Sequence, residues 1–147
     1  MKAVYALLLL VLVAGCTGSA PQTGAVETQP APETATITIT AAGFAPNEVT
    51  IRQGGTVTWT NANTANHWVA SAMHPLHDSY PGAAYYEPGT YGGTRSCSAE
   101  GVAKAGAFDS CKGIAPGESY AFTFIQTGTF FYHDHLNPTL FGSVVVE

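Results

Sequence analysis

The sequence predicts an all-β chain, a single-domain β-sandwich of seven or eight short strands. Apolar and polar residues alternate with period two in segment after segment, and helical periodicity is missing from the region beyond the leader. Clusters of Gly, Pro and Asn punctuate those segments. Residues 36–40 (Thr-Ile-Thr-Ile-Thr) alternate cleanly, Val49 to Arg52 follow Pro46-Asn47, and Gly54-Gly55 turn into Thr56-Val57-Thr58-Trp59-Thr60. Three strands thus precede the first histidine. Asn61 to Asn66 are turn chemistry, after which His67-Trp68-Val69-Ala70 resume an extended pattern. Glu118 to Phe124 alternate again, turn at Gln126-Thr127-Gly128 and return as Thr129 to His133, an expected hairpin. Val144-Val145-Val146 close the chain as a last strand.

The folded part is expected over residues 35–147, long enough for one sandwich with its own core. Before it, residues 1–15 read as an export signal. Lys2 precedes the apolar run Ala3 to Val13, which is too short to span a bilayer stably. The small residues of Leu12-Val13-Ala14-Gly15 before Cys16 resemble the lipobox of bacterial lipoproteins, which implies cleavage before Cys16, lipidation of its thiol and a membrane anchor outside the cytoplasm. A plain signal peptide with an incidental Cys is the simpler alternative. Residues 16–34 hold too little apolar surface to fold and read as a flexible tether. The formal charge is −5, and loss of Lys2 with the leader makes it more negative. Nucleic acid is therefore excluded as the expected partner.

Chemistry concentrates in the histidines. His67, His74 and His77 form one cluster and His133-Asp134-His135 the other. Side chains on a strand alternate, so His133 and His135 are expected on one face about 6–7 Å apart, with Tyr132 and Asp134 on the other. Imidazoles suit copper, zinc, iron or nickel, and a pair on a rigid strand supplies half of a four-coordinate shell. Between the clusters lies an irregular stretch from Ser71 to Pro116, too long for a plain connection in a compact domain unless functional or cross-linked. Its tyrosines Tyr80, Tyr85, Tyr86 and Tyr91 read mostly as filling a satellite core. It also carries Cys97 and Cys111. Outside the cytoplasm these two read most simply as a disulfide; the sharper alternative makes one of them a thiolate ligand.

Phe44-Ala45-Pro46, Gly55-Thr56-Val57-Thr58-Trp59-Thr60-Asn61 leading to His67, Pro116-Gly117-Glu118 through Gly128-Thr129, and Gly142 to Val146 together resemble the cupredoxins, small copper-binding Greek-key β-sandwich proteins. The resemblance spans nearly all of residues 35–147 and implies that His67 is a copper ligand. It departs at the second ligand loop. Blue-copper members carry Cys-x-x-His-x-x-Met there, and the register puts Asp134, Asn137 and Leu140 at those three positions with Gly142 still in place. Gly-Thr-Phe-Phe-Tyr-His-Asp-His is instead similar to the Tyr-His-x-His strand of multicopper oxidases, whose His-x-His pairs bind non-blue coppers. The expectation is a nitrogen-only site of His67, His133 and His135 with His74 or His77 as a fourth ligand, suited to copper, with zinc as the other candidate. Asp134 is expected to be solvated or to brace the loop, with a hydrogen bond to an imidazole as the alternative.

These readings support an extracytoplasmic, lipid-anchored copper-binding protein serving storage, delivery or electron transfer with a redox or copper-trafficking partner. A small copper enzyme acting on superoxide or nitrite is the alternative, and a metal-free surface adhesion or scaffold module is a third that the histidine clustering disfavours.

Overall fold

The computed structural model describes residues 29–72, 77, 79–81, 96–98 and 100–147. The leader, Cys16 and its proposed lipid, His74, Tyr85, Tyr86 and Tyr91 lie outside the described residues. Eight strands are described: β1 (Thr34–Thr40), β2 (Gly43–Ala45), β3 (Glu48–Ile51), β4 (Thr56–Asn61), β5 (Val69–Ser71), β6 (Ser119–Thr123), β7 (Gly128–Asp134) and β8 (Asn137–Val146). They form two four-stranded sheets, ordered β2-β1-β4-β6 and β3-β8-β7-β5. The pairs β1/β4 and β3/β8 are parallel and the rest antiparallel.

The expected alternation is visible in burial. Val57, Trp59 and Asn61 of β4 face inward, as do Ile37 and Ile39 of β1, Phe130 and Tyr132 of β7, and Val144 and Val146 of β8. Trp59 is the centre of this core, with Phe108 and Tyr132 each at 5.3 Å and Tyr120 at 5.7 Å between ring centroids. Full burial of a side chain this size contributes roughly 4–6 kcal/mol gross, before ordering entropy. Tyr80 joins the main core, against Phe124 and Phe130, and its hydroxyl accepts the Ile125 N–H at 3.0 Å.

Two expectations need correction. Four strands precede His67, because Phe44 lies in the short strand β2 paired with the end of β1. The segments 118–124 and 129–133 also do not pair as a hairpin. β6 pairs with β4 in one sheet, β7 pairs with β8 and β5 in the other, and residues 124–127 carry the chain across. Both segments present inward apolar residues, and stacking two sheets buries these better than one flat hairpin would.

Gly142 lies opposite Tyr132 in the β7/β8 ladder. A Cβ there would collide with the Tyr132 hydroxyl and the Asn47 carbonyl, so glycine is what lets the Tyr132 ring lie against β8.

The site is positioned by the edge of the second sheet. β5 pairs with β7 in the register Val69/Asp134, Ala70/His133 and Ser71/Tyr132. Residues 108–110 extend this sheet beyond β5: the Ser71 N–H donates to Phe108 O at 2.9 Å, the Ser110 N–H donates to Val69 O at 2.8 Å, and Ala70 bridges Asp109.

Candidate metal centre

Alternation sorts the edge residues onto two faces. Val69, Phe108 and Tyr132 point into the core, so Ala70, Asp109 and His133 project from the outer face. They form one cross-strand row, His133–Ala70–Asp109. Ala70 puts only a methyl group between His133 and Asp109, and His77 meets the side chains of both. Its ring, fully buried, lies 5.0 Å from His133 and 4.8 Å from His135 between centroids. His77 adopts a left-handed φ of 54°, uncommon for a side chain with a Cβ.

Asp109 fixes the orientation of His77. The His77 Nδ1–H donates to Asp109 Oδ2 at 2.7 Å, and the Ser96 hydroxyl donates to the same oxygen. Asp109 Oδ1 accepts the Trp68 Nε1–H at 2.6 Å and the Cys111 N–H at 2.7 Å. Burial raises the carboxyl's proton affinity, but the bonds from His77, Ser96, Trp68 and Cys111 outweigh it and hold Asp109 below the usual carboxylate range. An ionised carboxylate only accepts, so Nδ1 of His77 carries a proton, and in the neutral ring the lone pair is left on Nε2. That nitrogen is 3.0 Å from Nδ1 of His135. Close by, burial and then the charge of Asp109 push the Tyr120 phenol up, so it stays neutral.

His135 reaches the cluster differently from the expected strand pair. β7 ends at Asp134 with a register shift after His133, and His135-Leu136 form a two-residue turn into β8. Asp134 causes this turn: its Oδ1 accepts the Leu136 N–H at 3.0 Å, an Asx turn that ends the strand's alternation. His135 is anchored by its N–H donating to Trp68 O at 2.7 Å and by the Trp68 indole, 4.6 Å away between centroids. The centroids of His133 and His135 are 6.3 Å apart.

Of the expected site residues, the structure brings together His77, His133 and His135, whose ligand atoms all lie within 4.8 Å of one another. His67 is elsewhere. It lies two residues before Val69, on the core side; its Nδ1–H donates to Asp134 Oδ2 at 2.8 Å and its Nε2 accepts from Asn63 Nδ2 at 2.9 Å. The buried Asp134 carboxylate also accepts the Trp68 N–H at 2.9 Å. Asp134 therefore both braces the loop and bonds an imidazole. Cys97 and Cys111 form a disulfide. Their sulfurs lie near Asp109 but offer no thiolate.

Three imidazoles with one nitrogen already fixed as an acceptor fit a metal that prefers nitrogen donors. Metal–imidazole bonds of about 2.0–2.1 Å bring ligand nitrogens to within about 3–4 Å of each other, comparable to the spacing found. Sequence reasoning missed Asp109, Ser96 and Trp68. The only signal for Asp109 was a carboxylate two residues before Cys111 in a chain with 10 acidic residues.

The family described as copper binding proteins, plastocyanin/azurin family, matches residues 33–147. Among solved structures, the chain is similar to a novel purple cupredoxin from Nitrosopumilus maritimus, at 21% identity and a TM-score of 0.52, over 77% of this chain and 99% of that one. It is likewise similar to an amicyanin variant in its reduced Cu(I) form at pH 4, at 23% identity and a TM-score of 0.52, over 80% and 85%. A second reduced amicyanin variant matches at 23% identity and a TM-score of 0.51 over the same shares. These likenesses carry the fold. Among curated proteins, none matches the chain.

Proposed function

The chain belongs to the plastocyanin/azurin family of copper-binding proteins, and on that premise we propose that it holds copper through His77, His133 and His135 in a nitrogen-only, non-blue site. The observation that carries this reading is the convergence of the three imidazoles, with Nε2 of His77 3.0 Å from Nδ1 of His135. Intense type 1 colour needs a thiolate ligand. Cys97 and Cys111 are bonded to each other, and an acid, Asp134, stands where the blue members have their Cys. His67, the residue at the family's first ligand position, is bonded on both ring nitrogens.

Copper bound there would supply one-electron exchange between Cu(II) and Cu(I). The protein's part is to present lone pairs and to limit water: Asp109 holds the His77 tautomer, and Trp68 covers one side of His135. The role that follows is copper storage, delivery or electron transfer with a protein partner. The apolar leader and the small residues before Cys16 support placing it outside the cytoplasm on a lipid anchor. Changing Cys16→Ser should release the protein from membranes, and retention would refute the anchor.

Copper loading of the metal-free protein tests the site. We expect one Cu(II) per chain, an axial EPR spectrum with nitrogen couplings, and no intense thiolate band. His133→Ala with His135→Ala should abolish binding, while His67→Ala should leave the stoichiometry unchanged. A strong blue band, or loss of copper in His67→Ala alone, would overturn the assignment. Zinc retained against competing copper would change the metal, and turnover of superoxide or nitrite well above free copper would make the protein an enzyme.

A further inference from the structure

We propose that Ser96 and the Cys97–Cys111 disulfide beside it are positioning elements of this metal centre, so that opening the disulfide weakens metal binding. The proposal rests on the His77–His133–His135 reading.

Asp109 aims His77, and two of the four donors that hold Asp109 belong to the disulfide region: the Ser96 hydroxyl on Oδ2 and the Cys111 N–H on Oδ1. These two donors sit at the two ends of the disulfide, whose cysteines are 14 residues apart in sequence. Cys111 has a left-handed φ of 56°, with its N–H returned to the Asp109 carboxylate and its sulfur bonded to Cys97.

Asp109 has other supports. The Ser71 N–H bond to Phe108 O and the Ser110 N–H bond to Val69 O tie its backbone to β5, and Phe108 is buried in the core. Ser96 is held differently. Among the described residues, its carbonyl accepts the Lys104 N–H at 2.8 Å and its neighbour Cys97 bridges Ala103, backbone contacts that stay inside residues 96–104. The disulfide therefore docks this segment so that the Ser96 hydroxyl meets Asp109. Without it, Oδ2 loses one of the two donors that set the carboxylate's rotation, and the aim of His77 Nε2 loosens.

The reductant implied is a dithiol. One of its thiolates attacks the half-buried Cys97 sulfur, forming a mixed disulfide and freeing Cys111; its second thiol then closes on the first. The donor leaves as a disulfide, and Cys97 and Cys111 take up two electrons and two protons.

Thiols bind and reduce copper, so the test uses variants of the full chain rather than a reductant. Cu(II) affinity, measured by chelator competition, should fall about tenfold in Cys97→Ser/Cys111→Ser, and in the same direction in Ser96→Ala, whose disulfide is intact. In both metal-free variants the His77 Nδ1 proton should exchange with water faster than in the parent protein by a larger factor than the core amides of β4 and β7 do, whereas general loss of stability would speed all of them alike. Unchanged or tighter affinity in both variants would overturn the proposal while leaving the site reading intact, provided His133→Ala has lost copper. Copper retained by His133→Ala would overturn the site reading itself. Should the cysteine variant fail to fold, Ser96→Ala decides by the same criterion.

Discussion

Replacing Asp109 by Asn keeps the shape of a fully buried side chain, removes its charge and turns one of its two acceptor atoms into a donor. Four donors converge on the carboxylate, and an amide nitrogen accepts from none of them. With the nitrogen in the Oδ1 position it would face the Trp68 Nε1–H and the Cys111 N–H, which can only donate. In the Oδ2 position it would face Ser96, whose hydroxyl can turn to accept, and His77, which can accept only by moving its proton from Nδ1 to Nε2. The second arrangement wins, and it occupies the lone pair aimed at His135. To bind metal, Asp109→Asn must return that proton to Nδ1 and set two donors against each other in a buried place. One unsatisfied buried donor costs about 1–3 kcal/mol, which corresponds to a loss of affinity of roughly 5- to 150-fold. Chelator competition on metal-free protein with an unchanged circular dichroism spectrum measures it, and the nitrogen-15 shifts of the His77 ring report the tautomer. A folded variant with parental copper affinity would refute the reasoning.

Three further outcomes are expected. Ala70→Leu would set a larger side chain between His133 and Asp109, the two residues His77 meets, and should reduce copper affinity and stability, the latter by about 1–3 kcal/mol for an overpacked site, read by competition and by thermal melting. Gly142→Ala would set a methyl against the Tyr132 hydroxyl and the Asn47 carbonyl and should lower unfolding free energy in urea by about 1–3 kcal/mol. Asp134→Cys combined with Asn137→His and Leu140→Met restores the ligand pattern of blue members beside His67; copper loading should give an intense thiolate band, and a folded variant without one would show the inner position closed to metal.

The sandwich was legible because its signals are local. Val57 and Trp59, or Phe130 and Tyr132, alternate whatever they pack against, and burial follows the alternation. Which sheet each strand joins was not local: β6 and β7 look like a hairpin, and only their partners β4 and β8 reveal a crossing between sheets. The site was legible in type and partly in membership. His133 and His135 stand out by spacing, although an Asx turn at Asp134, rather than strand alternation, delivers the second. His77 was one of two candidates for a fourth ligand, and the other, His74, lies outside the described residues. The place of His77 rests on the pairing of Ala70 with both His133 and Asp109, a tertiary register that no spacing along the chain encodes.

Asp134 links the inner and outer faces of this edge. It stands where a thiolate would bind copper in the blue members, and its carboxylate takes three bonds: from His67 Nδ1, from the Trp68 N–H and from the Leu136 N–H. The last two fix the backbone on either side of the cluster, since Trp68 packs on His135 and accepts its N–H, and the turn closed through Leu136 carries His135. A brace of this kind serves the outer histidines without touching them. His67 contributes one bond to the brace, whereas Asp134 is the brace. His67→Ala should therefore keep copper affinity within a few-fold of the parent, while Asp134→Ala frees two backbone donors and should weaken binding about 10- to 100-fold. Equal losses in the two variants, measured by the same competition on folded protein, would mean that the inner imidazole itself reaches the metal.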